Sequence, residues 1–208
     1  NDLVQQNIAD DSIFSILVRR AVFVDLFVWY TWLSKLFDFE PDKSKYDLKY
    51  PDEWNDAYQY AYKNGVTTID SIWKADMEWY LTRIAMAKML SNYAINILWL
   101  KPNQNLDNNF LDVPESLDYQ YDNWVKNAYQ LWVMWQNMGN RFRPYDTVTR
   151  AEFAKMLASL SQSYNSSNKD NNLKALDEIK DVSSSSWYSN YVGYLLDKQI
   201  MNGYNDKT

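Results

Sequence analysis

Three arginines stand where helices are expected to begin: Arg19 in "LVRRAVFVDL", Arg83 in "LTRIAMAKML" and Arg150 in "VTRAEFAKML". They lie 64 and 67 residues apart. A cation in the first turn faces the positive end of the helix dipole, so an arginine there in all three copies needs a reason beyond helix formation. The plain reason is structural: a salt bridge, or hydrogen bonds to loop carbonyls. Thr149 and Glu152 also have a plain reading. Thr-x-x-Glu is a capping box, in which hydroxyl and carboxylate satisfy orphan amides at a helix N-terminus. The other copies carry Ala21 and Ala85 in the place of the glutamate, and Val18 replaces the threonine in the first.

Most other chemistry is closed off by what is missing. The 208 residues include no Cys and no His. Neither a Ser-His-Asp nor a Cys-His arrangement can therefore be built, and the usual zinc ligands are gone. Asp and Glu are scattered without a pair that singles itself out for glycoside hydrolysis. We expect no enzyme, no cofactor and no metal centre. Two Asn/Asp-rich loops, "PNQNLDNNF" and "SYNSSNKDNNLKALDE", offer oxygens to Ca²⁺ but lack the ligand spacing of an EF-hand loop, and read as solvated linkers. The net charge of -6, with no run of Lys or Arg, argues against nucleic acid as a partner.

The elements that must position the arginines are helices. Aromatic residues make up 17% of the chain while only 4 Gly and 5 Pro interrupt it, a balance that favours helices joined by polar loops. The most apolar stretch, "SIFSILVRRAVFVDLFVWYTWL", is broken by Arg19, Arg20 and Asp25. It falls short of the ~18 uninterrupted apolar residues of a membrane span and reads as a buried helix. The first residue is Asn rather than Met, which fits removal of a signal peptide, and the lack of Cys fits an extracellular protein independent of redox state.

A second marker repeats. A Trp opens an aromatic-rich helix at Trp54, Trp124 and Trp187, in steps of 70 and 63 residues. Each unit reads as helix, loop, helix. The first helix carries an apolar stripe such as Trp124, Ala128, Leu131 and Trp135. The second begins at the arginine, and in the loop "NRFRPYDT" Pro144 delays its start. An aspartate-containing lead precedes the first helix: "FLDVPES" before Trp124, "IKDVSSSS" before Trp187 and, more weakly, "FDFEPD" before Trp54.

"FLDVPES", the Trp124 helix and "RFRPYDTVTRAEFAKML" together resemble the S-layer homology domain, most closely over residues 110 to 160. The resemblance implies an all-α fold of helix-loop-helix repeats in a pseudo-threefold arrangement with long polar loops. It also implies grooves in which Arg19, Arg83, Arg150 and Glu152 meet an anionic cell-wall polysaccharide. A bidentate guanidinium suits a carboxylate on such a sugar.

On this reading the single domain of residues 1–208 divides into a second half-repeat at 1–37, full repeats at 38–109 and 110–172, and a first half-repeat at 173–208. The two end halves are complementary. They can close within the chain, or between neighbouring subunits head to tail, which generates a ring or a filament. The interface would hold Arg19, Val22 and Phe23 against Trp187, Tyr191 and Leu195. The leading expectation is an extracellular structural protein of a prokaryotic cell surface that self-assembles, a lattice or filament subunit. The alternative is a monomeric anchor that binds cell-wall polysaccharide. Neither is expected to be transmembrane. Aromatics at helical spacing are read mainly as core, although "WVMWQ" and "DNWVKNAYQLW" could present flat faces to sugar rings.

Overall fold

The computed structural model describes residues 40–135, 139–165, 176, 179–180, 182–198 and 200–201. It is helical, and among the described residues there is no β-strand, only an isolated antiparallel bridge between Thr82 and Thr147. The helices are α1 (Asp52–Lys63), α2 (Arg83–Asn96), α3 (Glu115–Gln120), α4 (Trp124–Gln130), α5 (Arg150–Asn165) and α6 (Ser189–Asp197).

Local chemistry explains where they start and stop. Asp52 and Glu53 sit in the first turn of α1 and Lys63 in its last, each charge complementing the helix dipole. The helix ends at Gly65, whose φ of 70° supplies the left-handed residue that a helix C-terminus favours. Pro114 precedes α3, and α3 is separated from α4 by Asp122 and Asn123, both left-handed at φ 54° and 57°. Thr82 caps α2, its hydroxyl oxygen accepting from the Ala85 amide at 3.4 Å.

The described residues fall into two compact units, one up to Thr147 and one from Val148 onward. In the first, α2 packs on α4, and α3 lies against α4. Met86, Ala87, Leu90 and Ala94 on α2 are buried, as are Val125, Ala128 and Leu131 on and just after α4. In the second, α5 packs on α6. The small residues Ala151, Ala154 and Ala158 meet Val192, Tyr194 and Leu195, and Leu176, Val182 and Tyr188 complete that core. Each of these arginine helices thus packs on the first helix of the following repeat. The pairs cut across the repeat boundaries expected at 109/110 and 172/173.

That phase changes the meaning of the C-terminal helix. Read as a half-repeat, the segment after Trp187 needs a partner; in the structure its apolar face packs against α5. The sequence pattern shows that a helix has a face to bury, but not which neighbour buries it.

The register differs from the tryptophan count as well. The carbonyl of Ala61 accepts from the amides of Val66 (2.8 Å) and Thr67 (3.5 Å). Ala128 accepts from Val133 (3.0 Å) and Met134 (3.1 Å), and Leu195 from Ile200 (2.9 Å) and Met201 (3.3 Å). This helix ending recurs every 67 residues, the separation of Arg83 and Arg150. On that register Trp54 aligns with Tyr121 and Tyr188, while Trp124 aligns with Ala57 and Tyr191. The three Trp markers therefore occupy three different register positions. Trp187 lies in the turn before α6 rather than opening it.

Candidate functional site

The reason for the arginine is visible at Arg83. Its Nε donates to the Phe142 carbonyl at 2.6 Å and Nη2 to the Trp135 carbonyl at 3.4 Å, with the guanidinium 5.1 Å from the centre of the Phe142 ring. The side chain is buried. Its backbone joins the same loop: the Arg83 amide donates to Asp146 (2.8 Å) and the Ile84 amide to Pro144 (2.9 Å). With Thr82 on Ala85, the orphan amides of the first turn all have acceptors. The carbonyls gathered round this helix start offset the dipole that would otherwise disfavour a cation. Expected to face a glycan, Arg83 instead holds the loop "NRFRPYDT" of the following repeat, the plain structural reading.

An aspartate fixes that loop from its other side. The Asp112 carboxylate accepts from the amides of Phe142 (2.7 Å) and Arg143 (2.8 Å). The aspartate of the "FLDV" lead therefore clamps the turn that Arg83 also grips. Asp118, which the sequence reading passed over, is buried and caps α4 through the amides of Val125 and Lys126, both at 3.0 Å. No short sequence signal marks it, because the capped helix starts six residues later.

In the other unit, Thr149 and Glu152 form the expected box. The Glu152 carboxylate accepts from the Thr149 amide at 3.0 Å, and the Thr149 hydroxyl oxygen accepts from the Glu152 amide at 3.2 Å. Arg150 stands between them, half-buried. Leu195, expected at an assembly interface, is fully buried within its own unit, whereas Tyr191 is half-buried and Trp187 is 57% exposed. Arg19, Val22 and Phe23 lie outside the described residues.

Two lysines repeat alongside the arginines. Lys88 sits 4.6 Å from the ring centre of Trp124 and donates to the Thr68 hydroxyl at 2.7 Å. Burial pushes its ammonium pKa down, opposed by Asp122. One register on, Lys155 lies 5.7 Å from the ring of Tyr191 and 5.9 Å from that of Trp187. In each pair a lysine of the arginine helix covers an aromatic of the helix packed against it.

Among the eight described tryptophans none is buried; the buried aromatics are Phe and Tyr. The expected stripe of Trp124, Ala128, Leu131 and Trp135 has only Ala128 and Leu131 in the core, joined by Val125. Trp73, Trp79, Trp99, Trp132 and Trp187 are each more than half exposed. Among the described residues no group of three or more acidic side chains could hold a metal ion, and the "PNQNLDNNF" loop instead bonds to Gln130 through Asn103 and Leu106. Most of the second Asn/Asp-rich loop lies outside the described residues. No described helix is long and apolar enough to cross a membrane.

Residues 178–208 match the family model of the S-layer homology domain. The match supports an S-layer homology domain at this end of the chain, which points to association with the cell surface or cell wall. No curated protein and no solved structure matches the chain.

Proposed function

We propose that the chain is a cell-surface anchor, held to an anionic cell-wall polysaccharide by its S-layer homology repeats, three helix pairs in pseudo-threefold arrangement. One observation carries this reading. The helix packed against the matched segment is α5, which alone keeps the full Thr-Arg-Ala-Glu start, and its Arg150 is half-buried where Arg83 is buried. Arg150 is thus the arginine best placed to meet a sugar carboxylate, with Glu152 holding the helix start in shape. The test is pull-down with purified cell-wall polysaccharide. Wild type should sediment with the polymer, and a folded Arg150→Ala variant should remain in solution. Sedimentation of that variant at wild-type level removes the arginine from the site.

A second reading, a self-assembling lattice or filament subunit, is favoured by the five tryptophans more than half exposed. Assembly would then run through exposed faces that include Trp187, since Leu195 is buried. Negative-stain electron microscopy with light scattering over a concentration series decides it: ordered arrays support the subunit, and a monodisperse monomer supports the anchor.

A further inference from the structure

Trp132 occupies a position built for glycine. It follows α4 with φ 59°, and on the 67-residue register it aligns with Gly65, φ 70°. The surrounding helix ending is the same in both: the residue after each donates to a carbonyl five positions back, Val66 to Ala61 and Val133 to Ala128. A left-handed backbone costs glycine nothing but is strained for a bulky side chain. The fold gains little burial in return. The indole is 59% exposed, while its neighbours Leu131, Val133 and Met134 are buried. Such an outlier is worth asking a function of, but Trp99 shares both the left-handed backbone, φ 53°, and the exposure, 79%, so what distinguishes Trp132 is its aromatic support.

The ring is nonetheless held in place. It sits 6.5 Å from the ring of Tyr129, tilted by 33°. Tyr129 meets Phe110 edge-on at 5.5 Å, and Phe110 lies 5.3 Å from Phe142, the residue gripped by Arg83 and Asp112. A file of aromatics therefore runs from the buried loop clamp to the exposed indole. The Tyr129 ring restricts the indole on one side, which reduces the side-chain freedom lost when something stacks on the other.

We propose that Trp132 is a stacking platform for the apolar face of a neutral sugar ring. The size of the feature chooses the ligand. One indole among buried neighbours is far smaller than the ~800 Å² per partner of a stable protein interface, but it matches a single pyranose ring, whose axial C–H bonds form an apolar face of about that area. An indole also brings no charge, so the ring it selects need not be anionic. This subsite is independent of the polymer contact assigned to Arg150, and it lies in the other compact unit.

The test uses the full chain and two glycine variants, titrated calorimetrically with tetramers of β-linked N-acetylglucosamine and of β-linked glucose. Wild type should bind at least one of them. Trp132→Gly should lose about tenfold in affinity, the scale of one aromatic contact, while its thermal midpoint stays level or rises by a few degrees. Trp99→Gly is the control: Trp99 is also left-handed, at φ 53°, and 79% exposed, and its removal should leave sugar binding intact. Wild type that binds neither tetramer overturns the proposal, as does unchanged affinity in Trp132→Gly or a lowered midpoint. If Trp132→Gly instead abolishes self-association in light scattering and leaves sugar binding unchanged, the platform is a protein contact and the sugar assignment fails. None of these outcomes touches retention through Arg150, which is read with the anionic polymer and a different variant.

Discussion

The α2–α4 and α5–α6 pairs are built to one register and use it differently. Arg83 and Arg150 occupy equivalent positions, as do Thr82 and Thr149, and Lys88 and Lys155. Arg83 is buried on the carbonyls of Phe142 and Trp135, and its helix has a one-way threonine cap. Arg150 is half-buried, and its helix has the reciprocal box with Glu152. The same letter at the same place is thus a structural clamp in one pair and a candidate contact in the other. What separates them is the degree of burial together with the box that only the second helix carries.

The comparison breaks most readily at the arginines. Arg83→Ala should cost about 3 kcal/mol or more, because it removes charge-assisted hydrogen bonds and leaves buried carbonyls without a donor. Arg150→Ala should cost less, about 1–2 kcal/mol, since the residue is half-buried although its Nη1 is enclosed. Urea denaturation of both variants measures the gap. Equal losses would make Arg150 a clamp too and take it out of the candidate site. Next in size is Asp112→Ala, expected to cost about 2–3 kcal/mol through two backbone bonds to a charged acceptor. Asp112→Asn keeps the shape and loses one of the two acceptor oxygens, so it should fall between. A wild-type midpoint for Asp112→Ala would mean that Arg83 alone holds the loop.

Smaller effects sharpen the contrast between the two helix starts. Thr82→Ala should cost about 1 kcal/mol, an ordinary N-cap loss. Thr149→Ala should cost more, because its hydroxyl and Glu152 satisfy each other, and a double-mutant cycle of Thr149 with Glu152 should show coupling of about 0.5–1 kcal/mol. Additive losses in that cycle would mean the two groups act separately and that the box is no advantage over the single cap.

How much of this was legible follows from how local each cause is. The helix starts at Thr82 and Thr149 could be read because a cap and its helix lie within four residues. Arg83 could be singled out as needing a reason, but its acceptors lie 52 and 59 residues away and nothing in the sequence points to them. The tryptophans misled for a related reason. An apolar period marks a face, and Trp is its most conspicuous member, yet the residues that fill the α2–α4 and α5–α6 interfaces are small, aliphatic or tyrosine, while none of the described indoles is buried. The register lay instead in helix endings such as Gly65 and Trp132, where a backbone requirement is shared although the residue types are not. For the same reason the packing of α5 on the Trp187 helix was out of reach: an apolar face in the sequence does not name the helix that meets it.

The smallest expected effect concerns Lys88, whose ammonium is held below its ordinary pKa of 10.5 by burial beside Trp124. The folded chain therefore gives up this proton at a lower pH than the unfolded chain. Between the two values the unfolded state binds more protons, so stability rises with pH across that interval. At neutral pH Lys88 carries a desolvation cost, partly offset by Asp122 and the indole, and the cost fades as the pH approaches about 10.5. Tyr46 and Tyr60 work in the opposite direction, since burial raises both and the stability they contribute is lost above pH 10. They titrate alike in wild type and in Lys88→Met, so the difference between the two proteins isolates the lysine. That difference should move in favour of wild type as the pH rises from 8 toward 10.5, read from urea midpoints at each pH. A difference that stays flat would mean that the Trp124 face leaves Lys88 solvated, and the cover it gives the α2–α4 seam would then be a surface contact of the kind that contributes little.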